Sequence, residues 1–196
     1  MKTDITQVLV AEHKLILRMI GLLEKYAPLT ASGKYRNWRF YHDGIDFIRT
    51  YADRYHHAKE EEILFKALID NGMPKENSPV AAMMMEHDKG RGLVRALETA
   101  VLEAEAGRTD GYRAIVDNAL GYAALLREHI GKEDDILYPL AERVIPETMR
   151  DAILHGYQTA EAQVAVDFGK RYQVVVAKYE QCADGNLMEY EIVEIS

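Results

Sequence analysis

The feature that most constrains this chain is an internal repeat built on histidine and glutamate. Residues 56–65 match residues 129–138 at a constant offset of 73, and both segments follow the pattern H-x-x-K-E-[ED]-[ED]-I-L-[FY]. A second match, at an offset of 74, pairs Glu12 and His13 with Glu86 and His87. Each half of the chain therefore offers one lone histidine and one histidine–glutamate pair, which indicates two similar halves.

Helical periodicity dominates the first 145 residues, because apolar residues recur there at three- and four-residue intervals. Proline, glycine and capping residues divide this stretch into four long helices. The first helix is expected from Thr3 or Asp4 to about Pro28, and the second over about 34–70. The third is expected over about 78–106, with Ser78 as its cap and Pro79 as its first residue, and the fourth over about 109–144. Long helices joined by short loops predict an all-α fold, an antiparallel up-down four-helix bundle over residues 1–145.

Residues 146–196 form a predicted C-terminal extension. The apolar spacing over 147 to about 171 predicts a fifth helix. Beyond it, the apolar segments 174–176 and 191–193 flank a turn-like pair at 184–185, which fits a small β-hairpin. A continued helix followed by a loose end fits the same residues, so both alternatives stay open.

Two overlapping pairs on the second helix have i, i+4 spacing, His56 with Glu60 and His57 with Glu61. Alignment with the later half of the repeat favours His56 and Glu60. These two residues also lie on the apolar stripe of the helix, whereas His57 and Glu61 lie about 100° away, toward a flank. Polar residues embedded in an inward apolar stripe are informative, because such residues are seldom buried without a partner.

Buried carboxylates at this level predict a bound cation. Two glutamates that face each other across a bundle would repel, and a buried carboxylate is costly unless it is paired or bound to a metal. Two divalent cations remove that conflict, and four imidazoles supply two nitrogens to each. A nitrogen and oxygen ligand set without thiolate suits iron or manganese, while structural zinc prefers a closed tetrahedral site.

Charge and composition exclude several classes of protein. The net charge of -8 and pI near 5.4 disfavour nucleic-acid binding and docking on anionic membranes. We expect no membrane-spanning helix, because no stretch of 18 uncharged apolar residues occurs. Cys182 is the only cysteine, so a disulfide framework is excluded and a cytoplasmic location is expected. The beginning of the sequence lacks the apolar core of a signal peptide.

These motifs resemble the hemerythrin-like, or HHE cation-binding, domain family over residues 1 to about 145, and most specifically in the blocks at 56–65 and 129–139. The resemblance implies a non-haem di-iron centre in which two glutamates bridge the irons. Matched residue by residue, it implies the metal ligands His13, His56, Glu60, His87, His129 and Glu133. The ferritin-like alternative is disfavoured, because the chain contains no E-x-x-H motif.

One position departs from the oxygen-carrying members of that family. They use a fifth histidine one turn before the ligand of the third helix, and Met83 stands at that position here. This departure disfavours reversible oxygen carriage and makes the site more similar to proteins that repair iron centres after nitric-oxide or oxidative stress. His42 and His155 have no repeat partner and are expected to be structural or exposed.

Three functions follow as hypotheses. The first is a di-iron protein that binds or senses a small oxidant such as oxygen, nitric oxide or peroxide, because the sequence offers open coordination and no obvious substrate channel. The alternative is a stress-related enzyme or repair protein that reduces nitric oxide or peroxide, or donates iron to damaged iron–sulfur centres. The third is an interaction bundle with a structural metal, and the extension over 146–196 is a candidate surface for a homodimer.

Overall fold

The computed structural model describes residues 3–181, which form six helices and no strand. Four of the helices are regular: α1 over Gln7–Ala31, α3 over Pro79–Glu105, α5 over Glu147–Glu161 and α6 over Phe168–Glu180. The other two, α2 over 38–70 and α4 over 110–144, combine α-helical and π-helical turns. The predicted all-α fold is confirmed. Within residues 3–181 no helix is long and apolar enough to cross a membrane.

The π-helical turns lie beside the predicted metal ligands. The segments of α2 are Trp38–Phe47 (α), Ile48–His57 (π), Glu60–Leu64 (π) and Phe65–Asp70 (α). The segments of α4 are Asp110–Lys132 (α), Glu133–Leu137 (π) and Tyr138–Val144 (α). A π-turn is wider than an α-turn, because its hydrogen bonds join residues five apart, and it occurs frequently at functional sites. The π-turns that begin at Glu60 and Glu133 are related by the same 73-residue offset as the sequence repeat.

Short polar side chains set the helix beginnings. Ser78 caps α3, because its hydroxyl accepts a hydrogen bond from the Ala81 amide at 3.2 Å, as the sequence predicted. Asn37 accepts from the Phe40 amide at 3.2 Å, so α2 begins at Trp38 rather than near residue 34. Asp4 accepts from the amides of Thr6 and Gln7, at 2.8 and 2.9 Å, and the helix begins at Gln7.

Two apolar clusters fill the interior of the bundle. The first core cluster joins the ends of α1 and α3 to the beginnings of α2 and α4, and it includes Leu23, Tyr26, Phe40, Leu97, Ala100, Ile115 and Ala119. The second core cluster joins the beginnings of α1 and α3 to the ends of α2 and α4, and it includes Ile5, Leu9, Leu64, Val80, Met83, Leu137 and Tyr138. This distribution is the one expected of neighbouring helices that alternate in direction. The layer between the clusters holds the predicted ligands.

The predicted fifth helix is wrong in its limits. The helix expected over 147 to about 171 ends at Glu161, and a separate helix begins at Phe168. Residues 174–176 lie within that last helix, so the helical alternative is correct for them and the strand is not. The rest of the predicted hairpin, at 184–185 and 191–193, lies outside the described residues.

The described part of the extension packs onto the bundle. Tyr172, Val176 and Tyr179 of α6 are buried in the first core cluster, and Ile153 and Tyr157 of α5 are buried in the second. Both amphipathic helices therefore use their apolar faces to cover the four-helix core.

Gly111 lets α3 and α4 approach closely. A Cβ at this position would lie 2.6 Å from the backbone nitrogen of Ala104 and 2.8 Å from the carbonyl oxygen of Ala100. We expect Gly111→Ala to lower the free energy of unfolding by roughly 1–3 kcal/mol, the usual cost of overpacking, measured by urea denaturation of metal-free protein. Gly131→Ala is the matched control, because its Cβ meets nothing within 4 Å. Equal stability of the two variants would contradict a close helix crossing at Gly111.

Candidate metal centre

The structure brings all six predicted ligands into one buried layer between the two core clusters. Each of α1 to α4 contributes one histidine, and α2 and α4 each add one glutamate. The relative exposure is at most 2% for His13, His56, Glu60, His87, His129 and Glu133. Ionisable side chains are rarely buried this completely unless they are paired or bound to metal.

The four histidines form two pairs. His13 Nε2 lies 3.0 Å from His56 Nε2, and the two ring planes are inclined at 64°. His87 Nε2 lies 3.0 Å from His129 Nε2, with an inclination of 60°. Because a ring nitrogen's lone pair lies in the ring plane, inclined rings direct the lone pairs of each pair toward a common point.

The outer nitrogen of every one of these histidines faces a carboxylate. The Nδ1–carboxylate distances are 2.8 Å for His13 with Asp134, 2.9 Å for His56 with Glu12, 2.6 Å for His87 with Glu61 and 2.9 Å for His129 with Glu86. An ionised carboxylate only accepts, so each Nδ1–H donates and each neutral ring keeps a bare lone pair on Nε2. Metal-binding histidines are commonly oriented in this way by an outer carboxylate.

Glu133 lies between the two histidine pairs. Its Oε1 is 3.2 Å from His129 Nε2 and its Oε2 is 3.4 Å from His13 Nε2, while neither oxygen has a partner in hydrogen-bonding geometry. Glu133 is therefore a buried carboxylate whose two oxygens face different histidine pairs, as a bridging ligand would.

Glu60 occupies the equivalent place opposite Glu133. Its Oε2 lies 3.7 Å from His56 Nε2 and 3.5 Å from His87 Nε2, and it also lacks a hydrogen-bond partner. Its Oε1 accepts a hydrogen bond of 2.5 Å from the Tyr138 hydroxyl. Burial and the neighbouring Glu60 carboxylate raise the pKa of Tyr138, so the phenol keeps its proton and donates it.

The buried carboxylates of this layer favour a positive charge beside them. Burial and the charge of Glu133 raise the pKa of Glu60 well above its usual range. Burial alone would lower the pKa of His13, but Asp134 and Glu133 outweigh it and raise that pKa to about 9. In the metal-free protein a protonated histidine therefore supplies positive charge, in the place that a cation would take.

Two lysines explain the K of the repeated motif. Lys59 donates to Glu12, the carboxylate that orients His56, and Lys132 donates to Glu86, which orients His129. The layer thus repeats a lysine–carboxylate–histidine chain in both halves, at the offsets of the sequence repeat.

The family comparison agrees with this geometry. The family model described as Hemerythrin HHE cation binding domain matches residues 4–141. This chain belongs to the hemerythrin HHE family. No curated protein and no solved structure matches it at a significant level.

The two halves of this hemerythrin-family site are closed differently. Lys59 is fully buried, and it also donates to Glu161 of α5 at 3.2 Å and lies 3.8 Å above the ring of Tyr55. Its counterpart Lys132 is 41% exposed. The C-terminal extension, which begins after the family match ends, therefore covers the half that contains His56.

His57 is a buried residue that the sequence placed toward a flank. Its ring is 5% exposed and stacks on His87, with 3.8 Å between ring centroids and 12° between planes. Its Nε2 has no hydrogen-bond partner, and its Nδ1 lies 3.4 Å from Asp53. The flank position assumed α-helical rotation, whereas this segment is π-helical and its wider turn brings neighbouring residues closer to one face. The two adjacent histidines are a signal that the sequence offers for this residue, but the sequence does not reveal the π-helical turn that buries it.

A coordinating atom from each of His57, Glu60, His87 and His129 lies within 4.8 Å of the others. The parallel stacking of His57 on His87 nevertheless disfavours these two histidines as ligands of one ion, because parallel ring planes do not direct two lone pairs at one ion. The inclined pair, His87 with His129, is the better pair of ligands, and His57 is a neighbour of that pair.

The remaining predictions about single residues fit the structure. Met83, at the position of the fifth histidine of oxygen carriers, is 3% exposed and packs in the second core cluster. His42 is partly exposed and pairs with Glu105 at 3.1 Å, and His155 is exposed. Neither histidine approaches the buried layer.

A cavity reaches this layer from the surface, contrary to the expectation of no obvious substrate channel. It has a volume of about 230 Å³ and lies among α2, α3 and α4. Its wall includes His57, His87 and His129, so it meets only one of the two histidine pairs.

The outer carboxylates provide a test of this arrangement. Glu86→Ala removes the acceptor of His129 Nδ1–H, so the affinity for added Fe²⁺ should fall by about 10–100-fold, measured by competition with a chelating dye. Glu24→Ala is the control, because Glu24 is partly exposed and pairs with Arg127 rather than with a histidine within residues 3–181. A Glu86→Ala protein with unchanged affinity would show that the outer carboxylate does not position His129.

Proposed function

We propose that this member of the hemerythrin HHE family holds two iron ions and binds a small oxidant there, namely oxygen, nitric oxide or peroxide. His13 and His56 would hold one ion, and His87 and His129 the other. Glu60 and Glu133 would bridge the two. Manganese or zinc could occupy the same donors but suits them less well than iron.

The facing imidazole lone pairs are the observation that carries this proposal. When the rings are neutral, each Nδ1–H is committed to a carboxylate, so the two Nε2 lone pairs of each pair face each other across 3.0 Å unless one ring takes up a proton. Two bare lone pairs at that distance repel, and the two unpartnered oxygens of Glu133 lie beside them. A cation between each pair satisfies all of these atoms at once.

The spacing of the nitrogens also supports iron. Two ligands about 2.1 Å from one ion are about 3.0 Å apart when they meet at a right angle, and farther apart at the tetrahedral angle of a structural zinc site. The observed 3.0 Å in both pairs therefore favours an ion with more than four ligands. Such an ion leaves coordination positions for a small exogenous ligand.

The protein's own part is to orient and shield. When bound, a pair of irons supplies exchangeable electrons and Lewis acidity. The outer carboxylates fix the histidine rings, the Tyr138 hydroxyl fixes Glu60, and the two core clusters cover the layer from both sides along the bundle. These contacts hold the donors in place before a ligand arrives.

The alternative proposal is a stress-related enzyme or repair protein that reduces nitric oxide or peroxide, or donates iron to damaged iron–sulfur centres. The cavity beside His87 and His129 supports it, because a route from the surface lets reactants and reductants reach one side of the site. Sustained turnover with a supplied reductant distinguishes this alternative from stoichiometric binding.

Location and assembly are lesser parts of the proposal. The single cysteine and acidic composition favour the cytoplasm. Within residues 146–181, a homodimer through the extension would use exposed residues such as Val166 and Val174, because the buried residues of α5 and α6 already cover the bundle.

Metal analysis tests the ligand set. Protein purified from iron-supplemented cells should contain about two irons per chain, as carboxylate-bridged di-iron bundles do. His56→Ala and Glu133→Ala should each lose most of that iron, because each removes a donor that faces the centre. His42→Ala, which changes a partly exposed histidine outside the buried layer, should retain it. Equal iron content in all three variants would refute the ligand set, provided that circular dichroism shows each to be helical.

Optical spectroscopy tests the proposed ligand. Reduced, iron-loaded protein should change its visible absorption when oxygen, nitric oxide or peroxide is added, because ligand binding or oxidation alters the iron centre. The Glu133→Ala variant serves as the control for signals from loosely bound iron. An unchanged spectrum with all three oxidants, at full iron occupancy, would eliminate the binding and sensing function.

A further inference from the structure

We infer that the cavity beside His87 and His129 binds a small organic carboxylate, with its charged group at arginines of the mouth and its apolar body against the interior. The inference deepens the proposed function, since it places that molecule next to one of the two ion positions. Binding itself depends on the cavity wall and not on a metal.

The mouth of the cavity is locally basic in an otherwise acidic protein. Four arginines line it, Arg49, Arg54, Arg91 and Arg95, against two acidic residues. Both acids are already bonded: Asp53 accepts from Arg91 at 2.7 Å, and Glu86 accepts from His129 and Lys132. The local excess of positive charge therefore belongs to the arginines, and it complements an anion.

Two of these arginines are available to a ligand. Arg49 donates to both oxygens of Glu98, at 2.5 and 2.6 Å, and Arg91 is held by the carboxylates around it. Arg54 and Arg95 are exposed, and neither has a carboxylate partner within residues 3–181. An arginine fork that is not already bonded is the usual receptor for a carboxylate.

The inner part of the cavity is apolar and larger than a diatomic ligand needs. Ile48, Val94 and Leu126 line it together with Gly90, whose missing side chain leaves room. A cavity of about 150 Å³ already holds benzene, and this one has a volume of about 230 Å³. The space therefore suits an organic molecule with a short apolar body.

Two buried polar atoms on the wall lack a partner. Tyr122 is 2% exposed, and its hydroxyl has no hydrogen bond within the described chain; neither does Nε2 of His57. Burial raises the pKa of Tyr122, so its hydroxyl is a donor. His57 Nδ1 faces Asp53, which places the ring proton on Nδ1 and leaves Nε2 as an acceptor. Unsatisfied buried groups are costly, and a ligand that bears a hydroxyl would satisfy both kinds.

The cavity is a specific departure from the internal symmetry of the chain. At the offsets of 74 and 73 residues, Gly90, Arg91 and His57 correspond to Ile16, Leu17 and Ile130. Ile16 and Ile130 are buried in the first core cluster, and Leu17 packs against it. At one of the two repeat-related places aliphatic side chains therefore fill the space, whereas at the other the space is open and lined with polar groups.

Calorimetric titration tests the inference. Hexanoate, hexanol and hexylammonium are titrated into metal-free and into iron-loaded protein at one ionic strength. Hexanoate should bind both forms, hexanol should bind about tenfold more weakly because it lacks the charge-assisted bond, and hexylammonium should show no binding. 6-Hydroxyhexanoate should bind more tightly than hexanoate, because its hydroxyl can meet Tyr122 and His57.

Variants separate the contributions of the wall. Arg54→Gln and Arg95→Gln together should weaken hexanoate by about tenfold or more, whereas Arg143→Gln, an exposed arginine near the end of α4, should not change it. Tyr122→Phe should remove the advantage of 6-hydroxyhexanoate and leave hexanoate unchanged. Gly90→Ile, which restores the residue of the first half, should abolish binding of both without removing any charge.

Each outcome bears on one proposal. If the three hexyl compounds bind equally, or if Arg143→Gln weakens hexanoate as much as the double variant, the cavity is not a carboxylate site. If the unaltered protein binds hexanoate as expected but does not retain iron, the di-iron function is overturned and this inference stands. Full iron content with no hexanoate binding to either form would overturn this inference alone.

Discussion

The whole arrangement depends on keeping imidazole lone pairs face to face inside a helical bundle. Two Nε2 atoms at 3.0 Å repel unless something positive lies between them, so the surrounding structure must hold them there. Each ring is fixed from outside by a carboxylate, and two of those carboxylates are fixed by lysines. The apolar clusters above and below supply the folding free energy that such a polar layer cannot.

Much of the fold, and the grouping of these histidines and glutamates, could be predicted from the sequence. Helices follow from apolar periodicity, and the repeat selects His56 and Glu60 because evolution of two similar halves leaves equivalent positions at constant offsets. Other features depend on geometry that a periodicity argument does not contain. The burial of His57 follows from a π-helical turn, and the cavity follows from a missing side chain at Gly90 within a packed interface. The break between α5 and α6 likewise could not be predicted from periodicity, since apolar residues continue across it.

The two halves of the candidate site are related by approximate twofold symmetry, and they differ where that symmetry is broken. The lysine–carboxylate–histidine chains of the two halves are equivalent in sequence and in contacts. Tyr138, which holds Glu60, corresponds at the repeat offset to Phe65, which stacks near His87 and has no hydroxyl. The two histidine pairs thus share their residue types but differ in what surrounds them.

The buried Lys59 gives these differences a kinetic consequence. It joins Glu161 of α5 to Glu12, and through Glu12 to His56, so the extension is linked to the histidine pair that we propose holds one of the ions. The other position, beside His87 and His129, meets the cavity. An ion at the cavity side could exchange with solvent while α5 stays docked, whereas exchange on the linked side would wait for α5 to move. Two chemically similar ions would then have residence times set by different parts of the fold.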